Sequence, residues 1–214
     1  MRRRARYLGA LLAISMLAGC GLGARPDRSR FFTLAPLGPD EFATAPAGKL
    51  DVSLGLGPIV FPGYLDRMSL VRRTHANEIA ISAFDRWAEP LGEAFRTTLQ
   101  QNLVGLLGTP RVVLYPWQRT ERPELAIDVV VLRFEATETG DADVAAQWHV
   151  VRVADGAVLV ARTSRIEELA GGADTDAAVA ALSRALGGLS REIATAVRDQ
   201  QAATHGQPAG RPRA

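Results

Sequence analysis

Chemistry in a 214-residue chain would most readily be built from its three histidines, its close carboxylate pairs, its one lysine and its one cysteine. The histidines lie far apart: His75 in a predicted turn, His149 in a predicted strand, His205 near the C-terminus. No two have metal-ligand spacing, and one cysteine cannot build a cysteine-rich zinc site, so no metal is expected. There is no Gly-x-Ser-x-Gly elbow to pair with a histidine. Glu167-Glu168 are strand neighbours and point to opposite faces, and Asp141 and Asp143 fall in a polar stretch. Both pairs read as solvated carboxylates rather than as acid and base. Lys49 is not in a glycine-rich phosphate loop, and Gly55-Leu56-Gly57 lacks the third glycine and following helix of a dinucleotide site. Arg72-Arg73 could bind a lipid phosphate or a partner carboxylate. Alternation, however, sends one to each face, where arginine stems ordinarily cover apolar surface. The expectation is a non-enzymatic protein with no catalytic residue and no cofactor. A hydrolase with an unfamiliar site would instead show a pocket where a histidine or carboxylate converges with other polar groups.

The cysteine has a context of its own. Met1-Arg2-Arg3-Arg4-Ala5-Arg6 is a charged start, Tyr7 to Ala18 is an uncharged, mostly apolar run, and Gly19-Cys20 follows. The run is too short for a bilayer span of roughly 20 residues and has the layout of an export signal. Leu17-Ala18-Gly19-Cys20 resembles a bacterial lipobox, in which cleavage precedes a cysteine whose thiol carries diacylglycerol. Residues 1–19 are therefore expected to be a lipoprotein signal peptide and Cys20 the lipidated first residue of the mature chain. Gly21, rather than Asp, in the next position implies passage to the outer membrane by resemblance to sorted lipoproteins. Residues 20–29 have no apolar periodicity and read as a tether, which could hold a domain up to about 30 Å from the bilayer.

The charge changes meaning with that signal. The whole chain carries +2. Residues 1–19 hold four arginines and no acid, so removing them turns +2 into −2, and a basic pI gives no support for nucleic-acid binding. With 47% hydrophobic residues the remainder is an ordinary globular composition.

The elements that would position any site can be read from period and punctuation. Arg30 to Leu34 predicts a first strand, and Lys49 to Val60 a second, through the alternation of Val52, Leu54 and Leu56. Gly57-Pro58 and Pro62-Gly63 leave Tyr64 to Arg67 on a turn or a single helical turn. Met68 to Arg73 and Glu78 to Ser82 predict a hairpin. From Pro90 the period becomes helical, with Leu91, Ala94, Phe95, Thr98, Leu99, Leu103, Leu106 and Leu107 on one face and Gly108 and Pro110 as the stop. Strands follow at Val112 to Tyr115, Leu125 to Ala136, Ala145 to Ala154 and Ala157 to Ile166, the last three as an antiparallel meander turned at Glu138 to Asp143 and Asp155-Gly156. Asp174-Thr175-Asp176 begins a second helix whose stripe is Val179, Leu182, Leu186, Leu189, Ile193 and Val197. Close packing is expected at Gly187-Gly188. The sum is an α+β fold with two amphipathic helices on one face of a largely antiparallel sheet, a domain over residues 30–199 and a disordered tail over residues 200–214.

Particular segments then resemble a family, the PqiC-like ABC-type transport auxiliary lipoproteins, also called the YmbA group. They are Phe31-Phe32-Thr33-Leu34, Leu56-Gly57-Pro58-Ile59, Pro62-Gly63-Tyr64-Leu65-Asp66-Arg67 and Phe84-Asp85-Arg86-Trp87-Ala88-Glu89-Pro90-Leu91. Pro116-Trp117, Asp128-Val129, Arg133-Phe134, Trp148 and Ser183 to Ile193 continue the pattern. The resemblance implies an outer-membrane-anchored, periplasm-facing auxiliary that binds an MCE-domain partner and its associated ABC permease in intermembrane lipid transport, with a homo-oligomeric ring as a further implication. An assembly or pilot lipoprotein for an outer-membrane β-barrel or secretin would suit the same tethered domain. Tyr64, Leu65, Asp66 and Arg67 have a composition suited to a partner contact, or to a turn that tucks Tyr64 and Leu65 into the domain's own core. Trp87, Pro90 and Leu91 read as a structural motif, with Trp87 stapling the helix start near Leu91, and Trp117 joins them as a structural aromatic.

Overall fold

The thirteen-residue strand β6 (Leu125–Thr137) is the spine of the molecule, and both of its edges are used. The computed structural model describes residues 27–43, 48–118, 120 and 122–206. The expected signal peptide, Cys20 and residues 207–214 lie outside the described residues. On one edge of β6, strands β7 (Ala142–Arg152) and β8 (Ala157–Glu168) complete the expected antiparallel meander. Along the other edge lie two strands in succession. β2 (Leu54–Val60) runs parallel to β6 from Leu125 to Val130, and β3 (Ser69–His75) takes up the end, with Arg72 and Arg73 opposite Ala136 and Thr137. The sheet forks there. β5 (Val112–Leu114) lies parallel outside β2, whereas β4 (Glu78–Trp87) pairs antiparallel with β3 and holds β1 (Arg30–Phe32) parallel at its far edge.

Helices α2 (Leu91–Leu107) and α3 (Thr175–Gly206) cover one face of this sheet. Phe95 of α2 meets Phe61 and Phe134 edge-on at ring separations of 5.3 and 5.4 Å, and the stripe Leu99, Leu103 and Leu107 is fully buried. Gly108, at φ 64°, ends α2 in the left-handed region, and Leu50 N–H donates to the freed Leu107 carbonyl. The N-terminal segment and β8 approach α3 closely where it lacks side chains. A Cβ at Gly187 would lie 2.5 Å from Leu37, and one at Gly188 3.2 Å from Ile166.

Asn102 interrupts the apolar stripe of α2 and is fully buried. Its Oδ1 accepts Leu37 N–H at 2.8 Å and its Nδ2 donates to Ser190 Oγ of α3 at 3.0 Å, so one polar side chain joins the N-terminal segment to both helices.

The structure corrects several expected boundaries. Strand β2 begins at Leu54 rather than Lys49: Leu50 N–H is used in capping α2, and Ser53 is engaged by Glu124. β1 stops at Phe32, β4 extends to Trp87 to receive it, and β7 begins at Ala142, which shortens the expected loop. The segment read as loop before β2 contains a short helix, α1 (Pro39–Ala43), with Glu41 accepting the Gly38 N–H in a capping arrangement. The tail does not begin at Gln200, since α3 continues through Gly206. Arg198 donates to the carbonyls of Leu106 and Gly48, which ties α3 across the end of α2, and Gln200, Gln201, Ala202 and Ala203 are good helix formers.

Candidate functional site

Where β2 ends and α2 begins, the chain closes around a depression of about 580 Å³. Ile59, Phe61, Leu65, Met68 and Leu91 give it an apolar floor, and Asp66, Arg67 and Glu93 stand at its rim. The two segments that line it, 63–68 and 90–93, are separated by two strands in sequence. They meet because β2 leaves the edge of β6 at Val60, makes the 3-10 turn Gly63–Leu65, and returns as β3, while Trp87 N–H bonds to the Met68 carbonyl at 2.7 Å.

The turn is held from within. Leu65 is 3% exposed and belongs to the core, Arg67 Nε bonds to the Tyr64 carbonyl at 2.8 Å, and Asp66 N–H to the Gly63 carbonyl at 3.2 Å. The Tyr64 hydroxyl is buried and makes no hydrogen bond of normal geometry, yet it sits by the ion pair of Arg73 and Glu135. Burial, with the Glu135 charge added, pushes the phenol up to about 12. Of the four turn residues, then, Leu65 and the Tyr64 hydroxyl face inward, and Asp66 and Arg67 are exposed at the rim.

Trp87 and Leu91 are both buried in the main core and Pro90 occupies the N-cap of α2. Trp117 stands elsewhere: its ring lies over Gly55, where a Cβ would come within 2.7 Å of it, and meets Tyr115 edge-on at 5.3 Å. The glycine in β2 is explained by that aromatic cover.

The carboxylates singled out in the sequence are tied into ion pairs or hydrogen bonds. Asp143, opposite Glu135 on the helix-free face, is bound by Arg133 at 2.7 Å and Arg165 at 3.0 Å. Burial would raise its carboxyl, but those two arginines outweigh burial and hold it below the usual range. Asp141 accepts the Ala170 N–H at 2.9 Å, and Arg165 and Arg184 reach Glu167 and Glu168. Asp85 has a similar role that the sequence did not signal, joining Arg30 of β1 to Thr175 at the start of α3. Arg72 and Arg73 part as expected, Arg72 toward Thr175 and Arg73 toward Glu135.

His75 and His149 do not converge. His75 is exposed at the β3–β4 hairpin, and His149 faces Asp128 across β7 and β6. Among the described residues no cluster of three His, Cys, Asp or Glu side chains could hold a metal, and no helix is long and apolar enough to cross a membrane. Burial raises Asp128, and the His149 imidazole offsets only part of that rise. A carboxyl raised in the folded state costs stability while ionised, and that cost disappears as pH falls below the ordinary carboxylate value. Asp128→Asn is therefore expected to raise Tm at pH 7, with the gain vanishing below about pH 4. Melting curves across that range check it, and an equal gain at pH 3 would contradict it.

A family model described as ABC-type transport auxiliary lipoprotein component matches residues 32–194, most of the chain. Among solved structures, a protein of Xanthomonas campestris is 17% identical with a TM-score of 0.66, covering 82% of this chain and 99% of that one. An uncharacterised protein is 20% identical with a TM-score of 0.64, covering 79% of this chain and 98% of that one. Both establish the likeness of fold. No curated protein matches the chain.

Proposed function

The chain belongs to the ABC-type transport auxiliary lipoprotein component family, and we propose that it is the outer-membrane-anchored, periplasm-facing auxiliary of an MCE/ABC-type lipid transport system, docking an MCE-domain partner at the rim of the Tyr64 turn. The observation that carries this reading is that the two most family-like segments meet at one depression, Leu65 to Arg67 of the first and Pro90 and Leu91 of the second lining it together. Asp66 and Arg67 give that rim one charge of each sign beside an apolar floor, and Tyr64 and Leu65 act as the anchors that fix it. Such a surface recognises a partner by an apolar insertion with charge pairing around it.

The test is a pull-down from detergent-solubilised envelope followed by mass spectrometry. Wild-type protein is expected to enrich an MCE-domain or permease component, and Asp66→Lys with Arg67→Glu to cut that enrichment about tenfold or more, since juxtaposed like charges cost several kcal/mol. Arg67→Glu gives up the Arg67 Nε bond to the Tyr64 carbonyl, but both side chains are exposed and Leu65 keeps the turn in the core, so circular dichroism should be unchanged. Absence of any such component from the wild-type eluate would falsify the reading. Enrichment of an outer-membrane β-barrel or secretin in its place would favour a pilot role.

A further inference from the structure

Two large aromatic side chains stand in solvent at the corner where the chain enters the domain. Phe31 is 63% exposed and Phe84 53% exposed. They are neighbours by register: Phe31 of β1 lies opposite Arg86 of β4, and Phe84 is two residues before Arg86, on the same face. The alternation on β4 is clear, because Asp85 turns inward to Thr175 and Trp87 is buried, leaving 84 and 86 outward. Arg86 is exposed and in no ion pair within 4 Å among the described residues, with Asp27 as its nearest acidic influence, and Arg28 is exposed on the approach to β1. Arg30, by contrast, is engaged by Asp85 and Asp176.

We propose that this corner, Phe31 and Phe84 with Arg86 and Arg28, is a membrane foot that rests in the interface of the leaflet holding the lipidated Cys20. The inference depends on the lipidation reading and adds an orientation to it. The occupant follows from the chain itself. From Cys20 to Arg30 the backbone can span only about 30 Å, so β1 is the element that the anchor brings to the bilayer first. Aromatic rings with arginines beside them suit that boundary, where rings reach the acyl region and guanidinium groups meet lipid phosphates.

The cysteine content makes the test clean. With Cys20 blocked as a thioether, a cysteine introduced by substitution is the only free thiol. Full-length lipidated Phe84→Cys, labelled with an environment-sensitive fluorophore, is reconstituted in phosphatidylethanolamine/phosphatidylglycerol vesicles that contain nitroxide-labelled lipid. Val158→Cys, 58% exposed on the far strand β8, is the comparison. The label at position 84 is expected to shift to the blue and lose roughly half its fluorescence or more, as it sits within about 5–10 Å of the headgroup boundary, while the label at 158 stays in water. Adding Phe31→Ala and Arg86→Glu should return the label at 84 to water without releasing the protein from the vesicles. Protein that co-floats with vesicles while the label at 84 remains in water overturns the foot and leaves lipidation standing. Protein that does not co-float, with no diacylglycerol on Cys20 by mass spectrometry, overturns the anchor itself and with it the foot.

Discussion

Replacing Arg73 with Ala is expected to destabilise the fold by about 3–5 kcal/mol, the usual cost of leaving one partner of a buried ion pair alone. Glu135 is 1% exposed, receives Arg73 Nε on one oxygen, and has no hydrogen-bond partner on the other. The same guanidinium reaches the Ala76 carbonyl at 2.9 Å, so it also closes the hairpin between β3 and β4. Without it, a carboxylate in an interior of low dielectric must remain unpaired or take up a proton. Urea unfolding at pH 7.5 reads the loss. A loss below about 1 kcal/mol at pH 7.5 would show that the pair is solvated. Two controls separate charge from shape. Arg73→Met with Glu135→Leu should recover much of the loss, since an apolar replacement of a buried pair is often neutral. Tyr64→Phe should cost little, because the hydroxyl it removes makes no hydrogen bond of normal geometry. Since Tyr64 belongs to the turn that shapes the depression, Arg73→Ala should weaken partner capture as well.

That coupling marks the boundary of what sequence could disclose. Helix α2 was legible because its signals are local: Pro90 before it, the stripe from Leu91 to Leu107, Gly108 after it. The β6–β7–β8 meander was legible for the same reason, since a short turn dictates antiparallel neighbours. The parallel pairings of β2 and β3 with β6 had no such signal, as they join strands separated by a helix or more and are decided by which edge of β6 is open. The end of α3 was misplaced at Gln200 because Arg198 finds its acceptors on Gly48 and Leu106, distant in sequence. In the candidate site, the composition of Tyr64 to Arg67 left two readings even. The structure divides the segment between them, with Leu65 in the core and Asp66 and Arg67 at the rim. The role of Asn102 could have been suspected from one fact alone, an amide in the middle of an apolar stripe, which is tolerated only where every hydrogen bond is met. The exposed corner of Phe31 and Phe84 was invisible, because an apolar run predicts burial and exposure depends on which strand lies at the edge.

Cys20→Ala is expected to remove the protein from the outer-membrane fraction almost completely, by tenfold or more on flotation. The magnitude follows from comparing the two proposed ways for this chain to hold a bilayer. Two acyl chains of about fifteen methylenes each, at about 0.8 kcal/mol per buried methylene, far exceed what two phenylalanines can supply, about 1.5–3 kcal/mol each even when fully buried. A foot without an anchor is therefore a weak, reversible contact, whereas an anchor without a foot still binds stably but leaves the domain free to swing through the reach of residues 20–29. The two substitutions should accordingly have different signatures. Cys20→Ala should lose flotation with outer membranes and retain residues 1–19, because cleavage before the cysteine requires the lipidated thiol. Phe31→Ala with Phe84→Ala should keep flotation and processing, and lose only the fixed orientation. If Cys20→Ala still floated with outer membranes and lacked residues 1–19, the lipobox reading would be wrong and the exposed aromatic corner, or a protein partner, would have to carry the attachment alone.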